Sequence, residues 1–464
     1  MITEPTTTAP PTEVDVVIVG AGISGIGAAW HLAKHRPQTS FAVLEGRHAI
    51  GGTWSLFKYP GIRSDSDLHT FGFGFKPWTN PKAIAEAPAI LDYLDEAIDE
   101  NGLRGRFHFG QHVSSAEWSS ADERWTVATQ GEDGSTTHIR CRFLFSGTGY
   151  YDYAGGYTPE FEGTEDFEGT IVHPQHWPED LAYAGKKVVV IGSGATAVTL
   201  VPAMAPTAGH VTMLQRSPSF VFSLPAEDPI ANTLNKVLGP ERAFRITRRK
   251  NVAFQRGIYR ACRRFPKGMR RILEGDVKRR LPKGYDVATH FSPSYDPWDQ
   301  RLCIVPDGDL FGAIKAGGAS VVTDTIDRFT PTGIRLTSGR ELEADIVITA
   351  TGLNLQPLGG IDLVVDDEPV SLPDTTVFRS MMLSGVPNFA FAIGYTNSSW
   401  TLKVDLVCEH FCRLLEHMEA RGLTTVVPVL DDPGERGPLL DLSSGYVERA
   451  IGAFPRAGSR GPWT

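Results

Sequence analysis

Cysteine is scarce in this sequence. Only five of its 464 residues are cysteines, and none of them belongs to a Cys-x-x-Cys motif. An odd number of cysteines without that motif indicates neither a secreted disulfide framework nor a dithiol redox centre, and a reducing cytoplasm is the simplest location. Cys408 and Cys412 are better explained as small buried hydrophobic side chains than as a metal-binding pair, so we expect no metal site.

Long apolar runs are also missing, and no stretch approaches the roughly 20 residues needed to cross a bilayer. Residues 1–13 are rich in Thr and Pro, lack the basic and apolar parts of a signal peptide, and predict a flexible tail. The net charge of -9 gives no whole-chain case for binding nucleic acid. With 41% hydrophobic residues, the chain is typical of a globular protein of two or three domains.

A first nucleotide-binding pattern lies near the start of the chain. The apolar run 14–19 leads into a glycine-rich turn at residues 20–25 and then into a helical stretch, which suits the binding of a pyrophosphate at a helix N-terminus. Glu45 ends the next apolar run 20 residues beyond Gly25, where a carboxylate accepts hydrogen bonds from a ribose and would repel a 2'-phosphate. The residues predicted to bind FAD here are Gly20, Gly22, Ser24, Gly25 and Glu45.

A second pattern of the same kind has a different ending. The run 187–191 precedes the turn 192–197, in which alanine replaces the third glycine. The following strand ends in Arg216 and Ser217 instead of a carboxylate, and a guanidinium and a hydroxyl at that place suit the 2'-phosphate of NADPH. The residues predicted to bind NADPH are Gly192, Ser193, Gly194, Thr196, Ala197, Arg216 and Ser217.

Two further apolar segments, 143–149 and 346–352, are typical of strands that return the chain to a sheet. We therefore predict an α/β fold with two Rossmann-like dinucleotide-binding domains, one for FAD and one for NADPH, and a helical insertion. The predicted domains are a flexible tail at 1–13, an FAD domain at 14–150 and 350–464, and an NADPH domain at 151–349 with a basic helical insertion at about 226–300.

Two longer motifs distinguish between a disulfide reductase and a monooxygenase, both of which pair two such domains. Residues 51–65 fit G-G-x-W-x-x-x-x-Y-P-G-x-x-x-D, and residues 167–178 fit F-x-G-x-x-x-H-x-x-x-W-P. Together they resemble the two fingerprints of the Baeyer-Villiger monooxygenases, which are class B flavoprotein monooxygenases. The segments 63–67, 173–180 and 397–403 are especially similar to the ethionamide-activating members of that family.

The resemblance implies a reaction in which NADPH reduces FAD and oxygen then gives a C4a-peroxyflavin. That species converts a ketone to an ester or lactone, and sulfides and thioamides are further expected substrates. The resemblance also points to Arg301 as the active-site arginine and to Asp65 as the carboxylate that positions it. A guanidinium stabilises anionic oxygen and keeps its proton at working pH. A turn cap is an equally good interpretation of Asp65.

The remaining candidate residues follow from the same two motifs. His173 is a candidate for proton transfer or for hydrogen bonding that couples domain movement to cofactor position, and Trp177 is a candidate packing anchor beside the nicotinamide. Thr53, Trp54 and Asp65 lie in the first fingerprint and are predicted to contact FAD. By resemblance, Val113 meets the adenine end of FAD through its backbone.

Three alternatives to this function stay open at the sequence level. A heteroatom flavin monooxygenase acting on nitrogen or sulfur shares the first fingerprint, and an NADPH oxidase would lack useful ketone chemistry. A redox-sensing protein would bind both nucleotides with negligible turnover, since a fold alone never proves catalysis.

The predicted insertion is unusually basic. From residue 242 to residue 283 it alternates Arg and Lys with aromatic and aliphatic residues at helical spacing. The simplest interpretation is a solvated helical cap over the NADPH domain, and the alternative is peripheral contact with an anionic membrane. Nucleic acid is a poor third, because no binding module accompanies the charge.

Overall fold

The computed structural model describes residues 9–395, 397–440 and 444–464. Residues 1–8 of the predicted flexible tail therefore lie outside the described residues. The first strand begins at Glu13, which is paired with Arg140, so the predicted tail extends one residue too far.

Strands make up two main sheets and several short ribbons. In chain order they are β1 (Glu13–Val19), β2 (Phe41–Glu45), β3 (Phe107–Phe109), β4 (His112–Ser119), β5 (Arg124–Gln130), β6 (Thr136–Ser146), β7 (Tyr151–Gly156), β8 (Thr170–Val172), β9 (Lys187–Ile191), β10 (His210–Gln215), β11 (Val221–Leu224), β12 (Cys303–Pro306), β13 (Ala319–Thr323), β14 (Ile326–Thr330), β15 (Gly333–Leu336), β16 (Glu341–Glu343), β17 (Ile346–Thr349), β18 (Leu353–Leu355), β19 (Asp362–Val365), β20 (Glu368–Pro369), β21 (Val377–Phe378), β22 (Met382–Leu383), β23 (Phe389–Phe391), β24 (Arg436–Pro438) and β25 (Arg456–Gly458).

Helices of very different lengths surround the sheets. They are α1 (Ile23–His35), α2 (Thr53–Leu56), α3 (Leu68–Phe71), α4 (Ala87–Asp99), α5 (Ala195–Met204), α6 (Pro229–Leu238), α7 (Pro240–Arg264), α8 (Pro266–Arg280), α9 (Val287–Phe291), α10 (Asp309–Lys315), α11 (Thr401–Ala420) and α12 (Gly445–Ala450). None of the described helices is both long and apolar enough to cross a membrane.

The first sheet has β1 near its centre, between β2 and β6, and the three strands are parallel. Val16 and Val17 of β1 are fully buried on opposite faces, as expected for a strand that is covered on both sides. The sheet runs in the order β20-β19-β4-β5-β6-β1-β2-β3, with β23 also paired to β6. Its first βα turn is the glycine turn predicted to bind FAD.

The second sheet has five parallel strands in the order β13-β10-β9-β17-β8. Strand β9 leads into the second glycine turn and β10 ends beside Arg216, as the sequence predicted. The predicted α/β fold with two Rossmann-like sheets is confirmed by this topology. The exact domain boundaries stay a prediction.

The sequence predicted that the helical insertion is a cap over the NADPH domain, and the structure shows that it contacts the first domain as well. Helix α7 also packs on the first domain, because Arg248 donates hydrogen bonds to the carbonyl oxygens of His69, Thr70 and Gly72 at 3.2, 3.1 and 2.7 Å. The same guanidinium pairs with Asp405 of α11. Periodicity could not reveal this docking, because it depends on contacts between residues far apart in the sequence.

A substitution in the first glycine turn can test how closely α1 must approach β1. A Cβ at Gly25 would lie 1.8 Å from the carbonyl oxygen of Gly20, so the replacement Gly25→Ala forces backbone apart. We expect it to lower the free energy of unfolding by about 1–3 kcal/mol, measured by chemical denaturation. The control Gly257→Ala in α7 meets nothing within 4 Å and should raise stability by about 0.5–1 kcal/mol. Equal effects of the two changes would contradict this account.

Candidate active site

A cavity of about 680 Å³ lies where the two domains and the insertion meet. The N-terminal turns of α1 and α5 both reach it, through Gly22 and Thr196 respectively. Its wall also contains Asp65 and Arg301, and it extends along α7 to Phe254. Parallel sheets bind ligands beyond the carboxyl ends of their strands, so a cavity shared by both sheets can bring two cofactors together.

The residues of the first glycine turn fit FAD. Gly22 and Gly52 approach so closely that a Cβ at Gly52 would lie 3.2 Å from the Cα of Gly22. No side chain caps α1, so the N–H groups of its first turn are available to a phosphate. Ser24, Thr53 and Trp54 also line the cavity, and their contact with FAD stays a prediction.

Glu45 stabilises the first glycine turn through hydrogen bonds to the backbone. Its carboxylate accepts hydrogen bonds from the backbone N–H groups of Ala21 and Arg47 at 2.8 and 3.0 Å. Burial raises the pKa of Glu45 despite these bonds. Val113 is buried in β4 and does not line the cavity. The contact of Glu45 with ribose stays a prediction, and so does the contact of Val113 with adenine.

The second turn fits a dinucleotide in the same way. A Cβ at Gly192 would lie 2.3 Å from the carbonyl oxygen of Ala350, whereas a Cβ at Gly194 would meet nothing within 4 Å, which leaves room for a ligand. The Ser193 hydroxyl lies 3.0 Å from the carbonyl oxygen of Ser217 and ties the turn to the end of β10. Ala197 is fully buried, and Arg216 and Ser217 are exposed where a 2'-phosphate would be expected.

Asp65 and Arg301 form an ion pair although 236 residues separate them. The guanidinium Nη1 donates to Oδ2 of Asp65 at 2.5 Å. Asp65 is the main reason why the pKa of Arg301 is raised, so the guanidinium keeps its charge at any working pH. Each side chain is 40% exposed and both line the cavity, so the pair can still meet a ligand.

The loop that presents Arg301 has an unusual backbone. Trp298 has a φ of 78°, in the left-handed region that a bulky side chain rarely adopts. Trp298 lines the cavity and lies against Tyr259 of α7, with ring centroids 6.0 Å apart. Strained positions of this kind cluster at functional sites, where surrounding contacts hold them in place.

The first fingerprint packs the two domains together. Phe57 and Tyr59 belong to the same buried cluster as the core of the second sheet. A Cβ at Gly61 would lie 2.7 Å from the Cβ of Ala203 in α5, so only glycine allows this approach. Arg63 forms an ion pair with Asp309 at the start of α10. The motif therefore links the FAD turn to the NADPH sheet.

The second fingerprint holds the two chain connections between the domains, which are β7 and β18. The imidazole of His173 lies against Gly156, where a Cβ would come within 1.8 Å of it. His173 Nδ1 accepts from the N–H of Gln175 at 3.1 Å, so Nε2 carries the proton and donates to the carbonyl oxygen of Gly352 at 3.2 Å. Gln175 in turn donates to the carbonyl oxygen of Asp152 at 2.9 Å.

His173 and Trp177 therefore stand apart from the other two candidate catalytic residues. Neither lines the cavity, and Trp177 packs against the core of the second sheet. Asp65 and Arg301 are brought together in the cavity wall, whereas His173 and Trp177 hold the domain connection beside it.

A polar cluster on α7 was not found from the sequence. Asp67 accepts hydrogen bonds from Asn251 at 2.9 Å and from Gln255 at 2.7 Å, and all three residues line the cavity. The alternation of Asp65 with Asp67 was the only available signal, because it places a second carboxylate on the same segment. Trp400, also missed, lines the cavity and donates to the Ser24 hydroxyl at 2.8 Å.

Three comparisons place this geometry among known proteins. The family model described as pyridine nucleotide-disulphide oxidoreductase matches residues 17–229. The FAD-containing monooxygenase EthA of Mycobacterium tuberculosis is 54% identical over 454 residues, 97% of this chain and 92% of the relative. The probable FAD-binding monooxygenase AlmA of an Acinetobacter species is 49% identical over 454 residues, 97% of this chain and 91% of the relative.

Solved structures of low sequence identity show the same fold. An open crystal structure of cyclohexanone monooxygenase gives a TM-score of 0.76 at 20% identity and covers 90% of both chains. A steroid monooxygenase bound to NADP gives a TM-score of 0.74 at 22% identity, with 90% of this chain and 88% of the other covered. The resemblance extends across both sheets.

The tautomer of His173 leads to a prediction about pH. Burial lowers the pKa of His173 below 6.5, so the folded protein binds fewer protons than the unfolded chain as the pH falls through that value. Its contribution to stability is present above pH 6.5 and is lost below it. We expect His173→Gln, which keeps a donor but does not titrate, to show a shallower loss of stability between pH 7 and 5, measured by denaturant unfolding.

The variant His173→Phe separates titration from hydrogen bonding. It lacks the donor to Gly352, so it should be less stable than His173→Gln at every pH. A loss of stability on acidification as steep in His173→Gln as in the native protein would contradict the assignment.

Proposed function

Because the chain belongs to the FAD-containing monooxygenases of class B, the Baeyer-Villiger-like type, we propose that it uses NADPH and O2 to oxygenate a ketone to an ester or lactone. Oxygenation of sulfides or thioamides at sulfur is the second expected activity. One oxygen atom of O2 enters the product, the other leaves as water, and NADPH supplies the two electrons. The observation that carries the proposal is the Asp65–Arg301 pair in the wall of the cavity that both helix N-termini reach.

FAD held by the first glycine turn and by Ser24, Thr53 and Trp54 would supply the redox chemistry, accepting a hydride from NADPH and then activating O2. The chain supplies charge and orientation. Arg301 provides a fixed cation for the negative oxygen that develops when a carbonyl is attacked, and such preorganised charge is often the largest catalytic effect. Asp65 orients the guanidinium, and its negative charge raises the pKa of Arg301, which favours the charged form of that side chain.

Aromatic side chains line the cavity that contains this pair. The ring of Tyr150 lies 4.8 Å from that of Tyr151 and 5.3 Å from that of Trp400, and all three residues line the cavity. When the cofactors and substrate fill the cavity, the loss of water from it would strengthen the interaction of Arg301 with anionic oxygen. Exclusion of water would also limit the loss of activated oxygen as hydrogen peroxide before the substrate is oxygenated.

The geometry favours a monooxygenase over an NADPH oxidase or a redox sensor. Neither of those needs a paired arginine in a cavity of this size, since an oxidase only passes electrons to O2 and a sensor only binds nucleotides. A heteroatom oxygenase is the closest competitor, and product analysis with a ketone and a sulfide separates it.

The proposed partners are a ketone or a sulfur-containing small molecule, O2 and, at the basic insertion, an anionic membrane surface. A cytoplasmic location is part of the proposal. The described cysteines are all free and buried, which agrees with a reducing compartment.

Replacing the cation tests the proposed role of Arg301. We expect Arg301→Ala to lower the rate of ketone oxygenation by about 100-fold or more, while NADPH oxidation continues and produces hydrogen peroxide. Arg301→Lys should recover only part of the activity, because an ammonium lacks the fork that pairs with Asp65. The measurement is product formation by gas chromatography alongside NADPH and peroxide assays.

The matched control is Arg335→Ala, which breaks an exposed pair with Asp327 in the β14–β15 ribbon. It should leave ketone oxygenation unchanged. Full coupling of NADPH to product in Arg301→Ala would refute the proposed role, and an absence of product in the native protein would favour the oxidase.

The exposed Arg216 tests the choice of nicotinamide cofactor. A charge-assisted hydrogen bond to the 2'-phosphate contributes about 1.5–3 kcal/mol, so Arg216→Ala should raise the KM for NADPH by about 10- to 100-fold. NADH lacks the phosphate and serves as the internal control, with an unchanged KM. A similar increase for both cofactors would place Arg216 outside the phosphate site.

A further inference from the structure

Exposed apolar side chains are concentrated on the helical insertion. Of the fourteen large hydrophobic residues that are exposed in the described part of the chain, seven lie between residues 230 and 272. Val237, Phe265 and Ile272 are the most exposed of these, at 74%, 63% and 60%. An apolar patch of this kind on a water-soluble fold marks a surface that contacts something else. We call the exposed side chains of residues 229–280 the α6–α8 surface.

The charge of this segment is opposite to that of the chain. Residues 229–280 contain sixteen Lys or Arg and three Asp or Glu, a net charge of +13 in a chain whose total is -9. Several of the arginines are exposed and form no ion pair with the described residues. They are Arg242, Arg245, Arg249, Arg256, Arg260 and Arg271.

Helical spacing separates the apolar and basic residues of α7. Phe254 and Ile258 are four residues apart and lie on one side of the helix, and Ile246 lies at the boundary between that side and the exposed arginines. The exposed arginines occupy the adjoining side, and Phe244 and Asn251 are buried on the packed side. A basic face beside an apolar strip is typical of helices that lie in the interface of an anionic bilayer, where arginine stems also reach the apolar layer.

The same apolar residues reach the active-site cavity. Ile230, Phe254 and Ile258 line it, while 55% of Ile230 and 53% of Phe254 remains exposed. These residues therefore connect the α6–α8 surface to the wall that contains Arg301. The cavity continues inward from them along Lys250 and Gln255.

We infer that the α6–α8 surface docks on an anionic bilayer and that the cavity takes its substrate from that bilayer through the Ile230–Phe254 rim. The substrate class is a lipophilic carbonyl compound that partitions into lipid. The inference rests on the proposed function for the chemistry at Arg301, and on the α6–α8 surface for the route of entry.

Charge complementarity indicates which kind of partner binds the α6–α8 surface. A protein partner would have to be strongly acidic and also apolar, whereas an anionic lipid surface offers both properties over a wide area. A second copy of this chain would bring two surfaces of net charge +13 together, which is unfavourable.

The test uses the holoenzyme and two ketones. One is water-soluble cyclohexanone, and the other is a long-chain methyl ketone dissolved in vesicles of mixed phosphatidylcholine and phosphatidylglycerol. The double variant Phe265→Glu/Ile272→Glu changes the surface at residues that do not line the cavity. The matched control is Leu406→Glu/Val429→Glu, because these residues are 55% and 79% exposed elsewhere on the protein.

We expect the native protein and the control to cosediment with the mixed vesicles, and to cosediment much less with phosphatidylcholine alone. The surface variant should lose cosedimentation, and its kcat/KM for the vesicle-borne ketone should fall about tenfold or more. All three proteins should oxygenate cyclohexanone at similar rates, because the Arg301 site is intact.

The outcomes distinguish the two proposals. Equal turnover of the vesicle-borne ketone by the native protein and the surface variant would overturn the inference and leave the proposed function standing. So would a dimer in light scattering that the surface variant disrupts, without binding to vesicles. A native protein that oxygenates neither ketone would overturn the proposed function instead, whatever its binding to vesicles.

Discussion

The paired chain connections between the two domains, β7 and β18, are the constraint on which the rest of the site depends. Each dinucleotide turn is complete within its own sheet, so each cofactor position is set locally. The chemistry, however, requires a hydride donor and acceptor at contact distance. The relative position of the two turns depends on β7 and β18, which pair as the chain leaves and re-enters the first domain. His173 contacts both connections, through Gly156 and Gly352. A histidine outside the cavity can thus matter to the reaction through position alone.

The ion pair in the cavity wall depends on the same arrangement of the two domains. Asp65 comes from the first domain and Arg301 from the loop after the insertion, so their ion pair exists only when the two units are packed together. The first fingerprint stabilises this packing with the buried rings of Phe57 and Tyr59. Burial raises the pKa of Tyr59 to about 12, so the ring stays neutral. The positioned ion pair is therefore a product of domain packing, and neither domain alone can form it.

The sequence predicted those features that depend on local geometry. A strand, a glycine turn and a helix are close in the chain, so residues 14–25 and 187–197 were enough to predict both dinucleotide turns. The resemblance to the monooxygenase family also pointed to Asp65 and Arg301, although no spacing rule could place them 2.5 Å apart. The docking of α7 on the first domain was missed. It depends on Arg248 and Gln255, whose partners lie 143 to 188 residues away and leave no periodic trace.

The charge of α7 shows why that docking is needed. Arg245 and Arg249, and Arg256, Arg260 and Arg264, are spaced by four residues, and like charges at that spacing destabilise a helix by a few tenths of a kcal/mol each. The helix is therefore held by its packed side, where Phe244, Thr247 and Asn251 are buried and Arg248 reaches three carbonyl oxygens. Repulsion among the outward arginines remains in water, and an anionic surface would relieve it. Contact with lipid would then stabilise the same helix that forms the wall of the cavity.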